Sequence, residues 1–176
     1  MIVYKQAESE QELKQILALQ QQNLPKNITP QESEQEGFLT VEHSMEVLKA
    51  MNDECGHIIA VEDGNVIGYA LCMHPKFADE IEVLKPMFDE IKKVVRKKDS
   101  YMAMGQICVA KSHRGKGVFR NLYLTMKNRL PEGFDTIITE VDGKNKRSLA
   151  AHKAIGFETV KVYPSGEKEW HLIVLK

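Results

Sequence analysis

Val109-Ala110-Lys111-Ser112-His113-Arg114-Gly115-Lys116-Gly117-Val118-Phe119 is the stretch whose reading decides the fold. Upstream of it, Met102 to Ala110 is almost continuously apolar, the pattern of a strand buried on both faces. Downstream, Val118, Leu122, Met126 and Leu130 recur at helical spacing, and Pro131 and Gly133 mark where that helix stops. Between strand and helix lies a basic turn with two glycines. Glycine lets backbone approach a ligand closely, and a helix start presents unpaired N–H groups at the positive end of its dipole. Arg114, Lys116 and Arg120 add positive charge where a pyrophosphate would lie. By itself a G-x-G pair fits a tight strand-to-helix turn as well as an anion site. Two phosphate loops are excluded: position 120 is Arg where G-x-G-x-x-G needs glycine, and G-x-x-x-x-G-K-[ST] occurs nowhere.

Further out, the chain alternates between element types. Ile2 to Gln6 reads as a short strand, followed by Ser9 as an N-cap with Glu12 in capping-box position and a helix striped by Leu13, Ile16, Leu17 and Leu24. Asn23 to Gly37 is polar, carries Pro25 and Pro30, and reads as loop; Thr40 to Met51 has a second helical pattern. His57–Val61 and Val66–Leu71 are strands joined by a hairpin turn at Asp63-Gly64. Asp79 to Lys98 is helical in spacing, with Pro86 as a divider or kink and Arg96-Lys97-Lys98 at its basic end. Past the basic turn come a strand from Phe134 to Val141, a helix from Asn145 to Ile155, a strand opened by Gly156-Phe157, a turn at Tyr163 to Gly166, and a last strand from Glu169 to Leu175. About seven strands and five helices in mixed order imply an α/β (α+β) fold: one mixed sheet with helices packed on it. The 176 residues suit one domain, 1–176, with a helical insertion at about 75–100 between the third and fourth strands.

Composition narrows the function classes. With 24 basic and 25 acidic residues the formal net charge is −1, so overall charge favours neither nucleic acid nor an anionic membrane. Basic clusters at 96–98 and 144–147 read as solvated helix and loop ends. Cys55, Cys72 and Cys108 are spaced like reduced, buried thiols, and no apolar run approaches the roughly 18 residues that span a bilayer. The expected location is the cytoplasm, the expected state monomer or homodimer, and no metal is expected. Cys55-Gly56-His57 and Cys72-Met73-His74 lack the spacing of a zinc site.

A second motif changes the weight of the first. Asn145-Lys146-Arg147-Ser148-Leu149-Ala150-Ala151-His152-Lys153-Ala154-Ile155-Gly156-Phe157 resembles motif B of the GNAT acetyltransferase superfamily, N-x-x-[AS]-x-x-x-Y-x-x-x-G-F. The basic turn resembles that family's motif A, [QR]-x-x-G-x-[GA], matching at Arg114 and Gly117 and departing at Phe119. The resemblance covers nearly the whole chain. It implies a sheet with splayed central strands and acetyl-coenzyme A as co-substrate. It further implies backbone contacts to the pantetheine arm along Ile107, Cys108 and Val109, a pyrophosphate cradle at Arg114, Gly115, Lys116, Gly117, Val118 and Phe119, and a cofactor contact from Asn145.

The implied reaction moves an acetyl group to a primary amine of a small molecule or peptide by direct transfer in a ternary complex. Such a transfer needs a base for the amine and benefits from a proton for the departing thiolate. His152 stands where the family's acidic Tyr stands, and a histidine with a pKa near ~6.5 can carry a proton. Glu140, sharing a strand face with Ile138, is the candidate base, with Asp142 beside it at the strand end. Tyr123 and Tyr163 are alternative acids that core packing explains more simply. Cys108 in an apolar strand reads as packing rather than as a nucleophile. The Tyr-to-His change also motivates a second reading, a catalytically silent coenzyme A-binding or sensing domain.

Overall fold

A computed structural model describes residues 1–95 and 101–176. The described residues form a seven-stranded sheet in the order β1-β2-β3-β4-β5-β7-β6. The strands are β1 (Val3–Gln6), β2 (Ile58–Glu62), β3 (Asn65–Met73), β4 (Tyr101–Val109), β5 (Thr136–Asp142), β6 (Glu158–Ser165) and β7 (Lys168–Leu175). Only β4 and β5 run parallel; the other neighbours are antiparallel. The hairpin predicted at Asp63-Gly64 joins β2 to β3, with φ of 51° and 78°, the left-handed pair its tight turn requires.

Six α-helices accompany the sheet in the described residues: α1 (Glu10–Gln21), α2 (Pro30–Glu36), α3 (Met45–Glu54), α4 (Lys85–Val94), α5 (Val118–Asn128) and α6 (Lys146–Ala154). The side chains of β3 alternate between two cores. Tyr69, Leu71 and Met73 join Ile16, Leu48 and Met51 on the face of α1, α3 and α4; Ala70 and Cys72 join Leu122, Tyr123 and Met126 on the face of α5. The whole of β3 after Asn65 is therefore buried, as expected of a strand covered on both faces.

Three expected boundaries move, each for a local reason. The stretch expected as loop from Asn23 holds α2, because Thr29 and Glu32 form a complete capping box and Pro30 occupies the first turn, where its missing N–H costs nothing. The helix expected from Thr40 starts at Met45, where the Ser44 hydroxyl caps the Val47 N–H. The long helix expected from Asp79 is instead two 3₁₀ turns, Pro75–Asp79 and Glu82–Leu84, and then α4, with Pro86 in its first turn rather than at a kink. Arg96, Lys97 and Lys98 lie outside the described residues.

Candidate active site

The site begins where two strands part. The parallel ladder between β4 and β5 covers only Tyr101↔Thr136 to Ala103↔Ile138. One residue further on, the Thr139 hydroxyl donates to the Met104 carbonyl at 2.8 Å, and past it the later part of β4 pairs with β3 alone. A cavity of about 530 Å³ opens beside this parting. Ile107, Cys108 and Val109 form its β4 wall; Gly115, Gly117, Val118 and Phe119 form its floor. From α6 and its cap come Asn145, Ser148 and Ala151, and Glu36, Phe38 and Leu39 close it from above.

The floor is a helix start prepared for an anion. Gly115 and Gly117 have φ of 74° and 81°, and a Cβ on Gly115 would meet nothing within 4 Å. Gly117 caps α5 without a side-chain bond, and the first intrahelical bond runs from Asn121 N–H to the Gly117 carbonyl at 3.0 Å. The N–H groups of Val118, Phe119 and Arg120 precede that bond, so they have no acceptor within the helix.

The loop's basic side chains are largely occupied. The Arg114 guanidinium donates to the Val109 carbonyl at 3.0 Å, to Asn23 Oδ1 at 2.6 Å and to Glu36. Lys111 pairs with Glu32, and His113 Nε2 lies 2.9 Å from Glu62. Arg114 thus ties α2 and the end of α1 to the loop. Lys116 is exposed and does not border the cavity. The cationic groups bordering it from the flanking helices are Arg120, which donates to the Ala154 carbonyl at 3.0 Å, and Arg147. Arg147 was legible only as one member of a basic cluster; the tertiary structure puts it beside the floor. Glu36, Phe38 and Leu39 were missed as well, and the Thr29–Glu32 capping box was the signal that an ordered element precedes them.

Asn145 borders the cavity while its side chain does structural duty. Its Oδ1 accepts from Ser148 N–H at 3.1 Å, capping α6, and its Nδ2 donates to the Phe38 carbonyl at 3.2 Å. The close approach here requires a glycine: a Cβ on Gly37 would sit 2.9 Å from Asn145 Oδ1, and its φ is 83°.

Neither of the two nominated proton carriers, His152 and Glu140, borders the cavity, and their surroundings differ. His152 is only 2% exposed and does not border the cavity. Its Nδ1–H donates to the Ser148 carbonyl at 2.8 Å and its Nε2 accepts from the Tyr123 hydroxyl at 2.7 Å, an arrangement that satisfies a neutral ring. Burial pulls its pKa down to about 4. Phe119 and Phe157 meet its ring edge-on, each at 5.0 Å. The chain's two departures from the family motifs are therefore in contact: a large ring at 119, where a small residue is usual, packs against a smaller ring at 152, where a Tyr is usual.

Glu140 lies on the opposite face of the sheet, the face of Ile138 and Tyr163. The Tyr163 hydroxyl donates to Glu140 Oε2. Burial lifts the carboxyl to about 7, against the opposing pull of that bond and of the Lys168 charge. Asp142, 3% exposed, accepts from Lys144 N–H at 2.9 Å and pairs with Lys168 at 3.3 Å, so it closes the turn after β5. Cys108 borders the cavity, but burial pushes its thiol up to about 12, far from a nucleophilic thiolate.

The acetyltransferase (GNAT) family model matches residues 14–157. The chain belongs to the GNAT acetyltransferase family. Solved structures similar to it include the ribosomal-protein-S18-alanine N-acetyltransferase of Escherichia coli, at 15% identity and TM-score 0.65, covering 99% of this chain and 93% of that one. Arabidopsis thaliana NAA60 in complex with acetyl-CoA is also 15% identical, with TM-score 0.67 and 99% of each chain covered. Arabidopsis thaliana Naa50, in complex with a bisubstrate analogue, gives 15% identity, TM-score 0.62, and coverage of 99% and 98%. At such identities the likeness is one of fold, including the single open mixed sheet. No curated protein matches the sequence. Among the described residues no helix is long and apolar enough to cross a membrane.

Proposed function

We propose that the protein transfers the acetyl group of acetyl-CoA to a primary amine, by direct transfer while both substrates are bound. The observation that carries this reading is the cavity at the parting of β4 and β5, with a free helix start on its floor and a carboxyl near neutrality across the sheet. The N–H groups at the start of α5 hold the pyrophosphate, with Arg147 and Arg120 at the cavity's edge. The freed edge of β4 along Ile107 to Val109 holds the pantetheine arm by backbone hydrogen bonds. The co-substrate supplies an activated thioester. Glu140 takes the proton of the incoming ammonium, and Tyr163 orients that carboxyl. His152 holds α6 against α5 through Tyr123 and the Phe119 and Phe157 rings, and the departing thiolate takes its proton from solvent.

The withdrawal of His152 from the cavity favours one other reading, a coenzyme A-binding domain without turnover. Incubation with acetyl-CoA and a panel of amines, following thiol release, separates the two. Turnover with any amine supports transfer; a thermal shift without turnover supports binding alone. Acetyl-CoA at ~100 times its dissociation constant adds about 2.7 kcal/mol of stability, so a missing shift overturns both.

A further inference from the structure

Lys168 presents an amine on the face of the sheet that carries Glu140 and Tyr163. Across the β5–β7 ladder Trp170 stands opposite Asp142 and Leu172 opposite Glu140, and Tyr163 of β6 stands opposite Trp170. Lys168 precedes Trp170 by two positions and shares its face. The Lys168 ammonium lies 3.3 Å from Asp142 Oδ2, 5.2 Å from the centre of the Trp170 ring and 6.0 Å from that of Phe38. Phe38 belongs to the roof of the cavity. The charge of Lys168 is also felt at Glu140. Glu140 and Asp142 lie beyond the last β4–β5 pair, Ala103↔Ile138, so both flank the parting of the strands. Two rings and the buried Asp142 carboxylate thus lie against one lysine beside the parting, with Glu140 on the same face of the sheet. Lys161, on the neighbouring strand, is drawn instead to Glu90.

We propose that Lys168 is an intramolecular acetyl acceptor, modified by the acetyl-CoA bound in the cavity; this rests on the transferase reading above. Glu140 removes one proton from the Lys168 ammonium. The nitrogen lone pair then forms a bond to the thioester carbonyl carbon. The carbon–sulfur bond breaks and the sulfur leaves with its electron pair as coenzyme A thiolate. The second proton lost by the nitrogen goes to solvent, from which the thiolate is protonated. The product is a neutral amide at Lys168. It no longer pairs with Asp142 or with the ring faces, so the contact between the Phe38 segment and the β6–β7 hairpin loosens.

The full chain incubated with acetyl-CoA and no added amine tests this, with acetylated positions mapped by peptide mass spectrometry. Lys168 is expected to be modified first, with a first-order rate constant independent of protein concentration, as an intramolecular step requires. Lys161 is the control and stays unmodified over the same interval. Lys168→Arg removes the modification, and Glu140→Gln slows it about 100-fold or more. Modification of Lys161 and outer lysines at similar rates, or a rate constant for Lys168 that rises with protein concentration, overturns the proposal. So does an unmodified Lys168 in a preparation that acetylates added amines, which leaves the transferase reading standing. Absence of any acetyl-CoA thermal shift overturns both.

Discussion

Two titratable groups stand on opposite faces of the sheet, the buried His152 in the aromatic cluster beneath α6 and the half-buried Glu140 of β5 beside the β6–β7 hairpin. Burial disfavours the charged form of each, so the histidine is pushed to about 4 and the carboxyl to about 7. At neutral pH this leaves His152 uncharged and hydrogen-bonded at both ring nitrogens, and makes Glu140 far easier to protonate than a solvated carboxylate. The same physical cause thus moves one group away from the neutral range and the other toward it. The difference teaches that motif position nominates a residue, while solvation and partners decide its chemistry.

The sharpest way to break the comparison is to exchange stability for activity at each group. Glu140→Gln should lower kcat by about 10²- to 10⁴-fold, the usual contribution of a positioned base, with acetyl-CoA affinity unchanged. The same change should raise stability. A carboxyl whose folded pKa is raised stabilises fully below its unfolded value and loses that contribution as pH climbs through about 7. Removing the charge should therefore add about 1–3 kcal/mol at pH 8, measured by denaturant unfolding. For wild type, kcat should rise with pH through about 7, and a flat profile would count against Glu140 as base.

His152→Ala should do the reverse. Deleting a packed ring and orphaning the Tyr123 hydroxyl should cost about 3 kcal/mol of stability. Activity per folded molecule, assayed below the unfolding temperature, should change only a few-fold. A loss of several hundred-fold would return His152 to the proton path.

Acid should expose the histidine side of the contrast. His43, His57 and His152 are buried, and burial lowers each to about 4. The unfolded chain binds these protons near pH 6.5 and the folded chain does not. Their contribution is thus complete above 6.5 and is lost as pH falls toward 4, several kcal/mol in all. Stability measured across that interval should drop steeply, and less so in His152→Ala. The smallest effect concerns the cavity roof. Glu36→Gln removes a negative charge bordering the cavity and an exposed partner of Arg114, and should tighten acetyl-CoA binding about two- to five-fold, read by titration calorimetry.

Much of this was legible along the chain. The apolar run into β4, the four-residue spacing of α5 and the motif at Asn145 to Phe157 are local patterns, and local patterns survive without knowledge of neighbours. The same logic located the Asp63-Gly64 hairpin and the Ser9 cap, since turn and cap chemistry spans only a few residues. α2 escaped notice because it buries none of its residues, so no apolar stripe announced it.

The sequence by itself thus determined the order of elements, the face on which Glu140 stands, and the pair of motifs that join strand, turn and helix. Only the tertiary structure decided which charges remain available. Arg114 is spent on Glu36 and Asn23, residues far away in sequence, and Arg147 is brought to the cavity by the packing of α6. Phe119 and His152, departures in separate motifs, become one contact. The physical reason is that solvation and pairing depend on distance in space, which no spacing along the chain records.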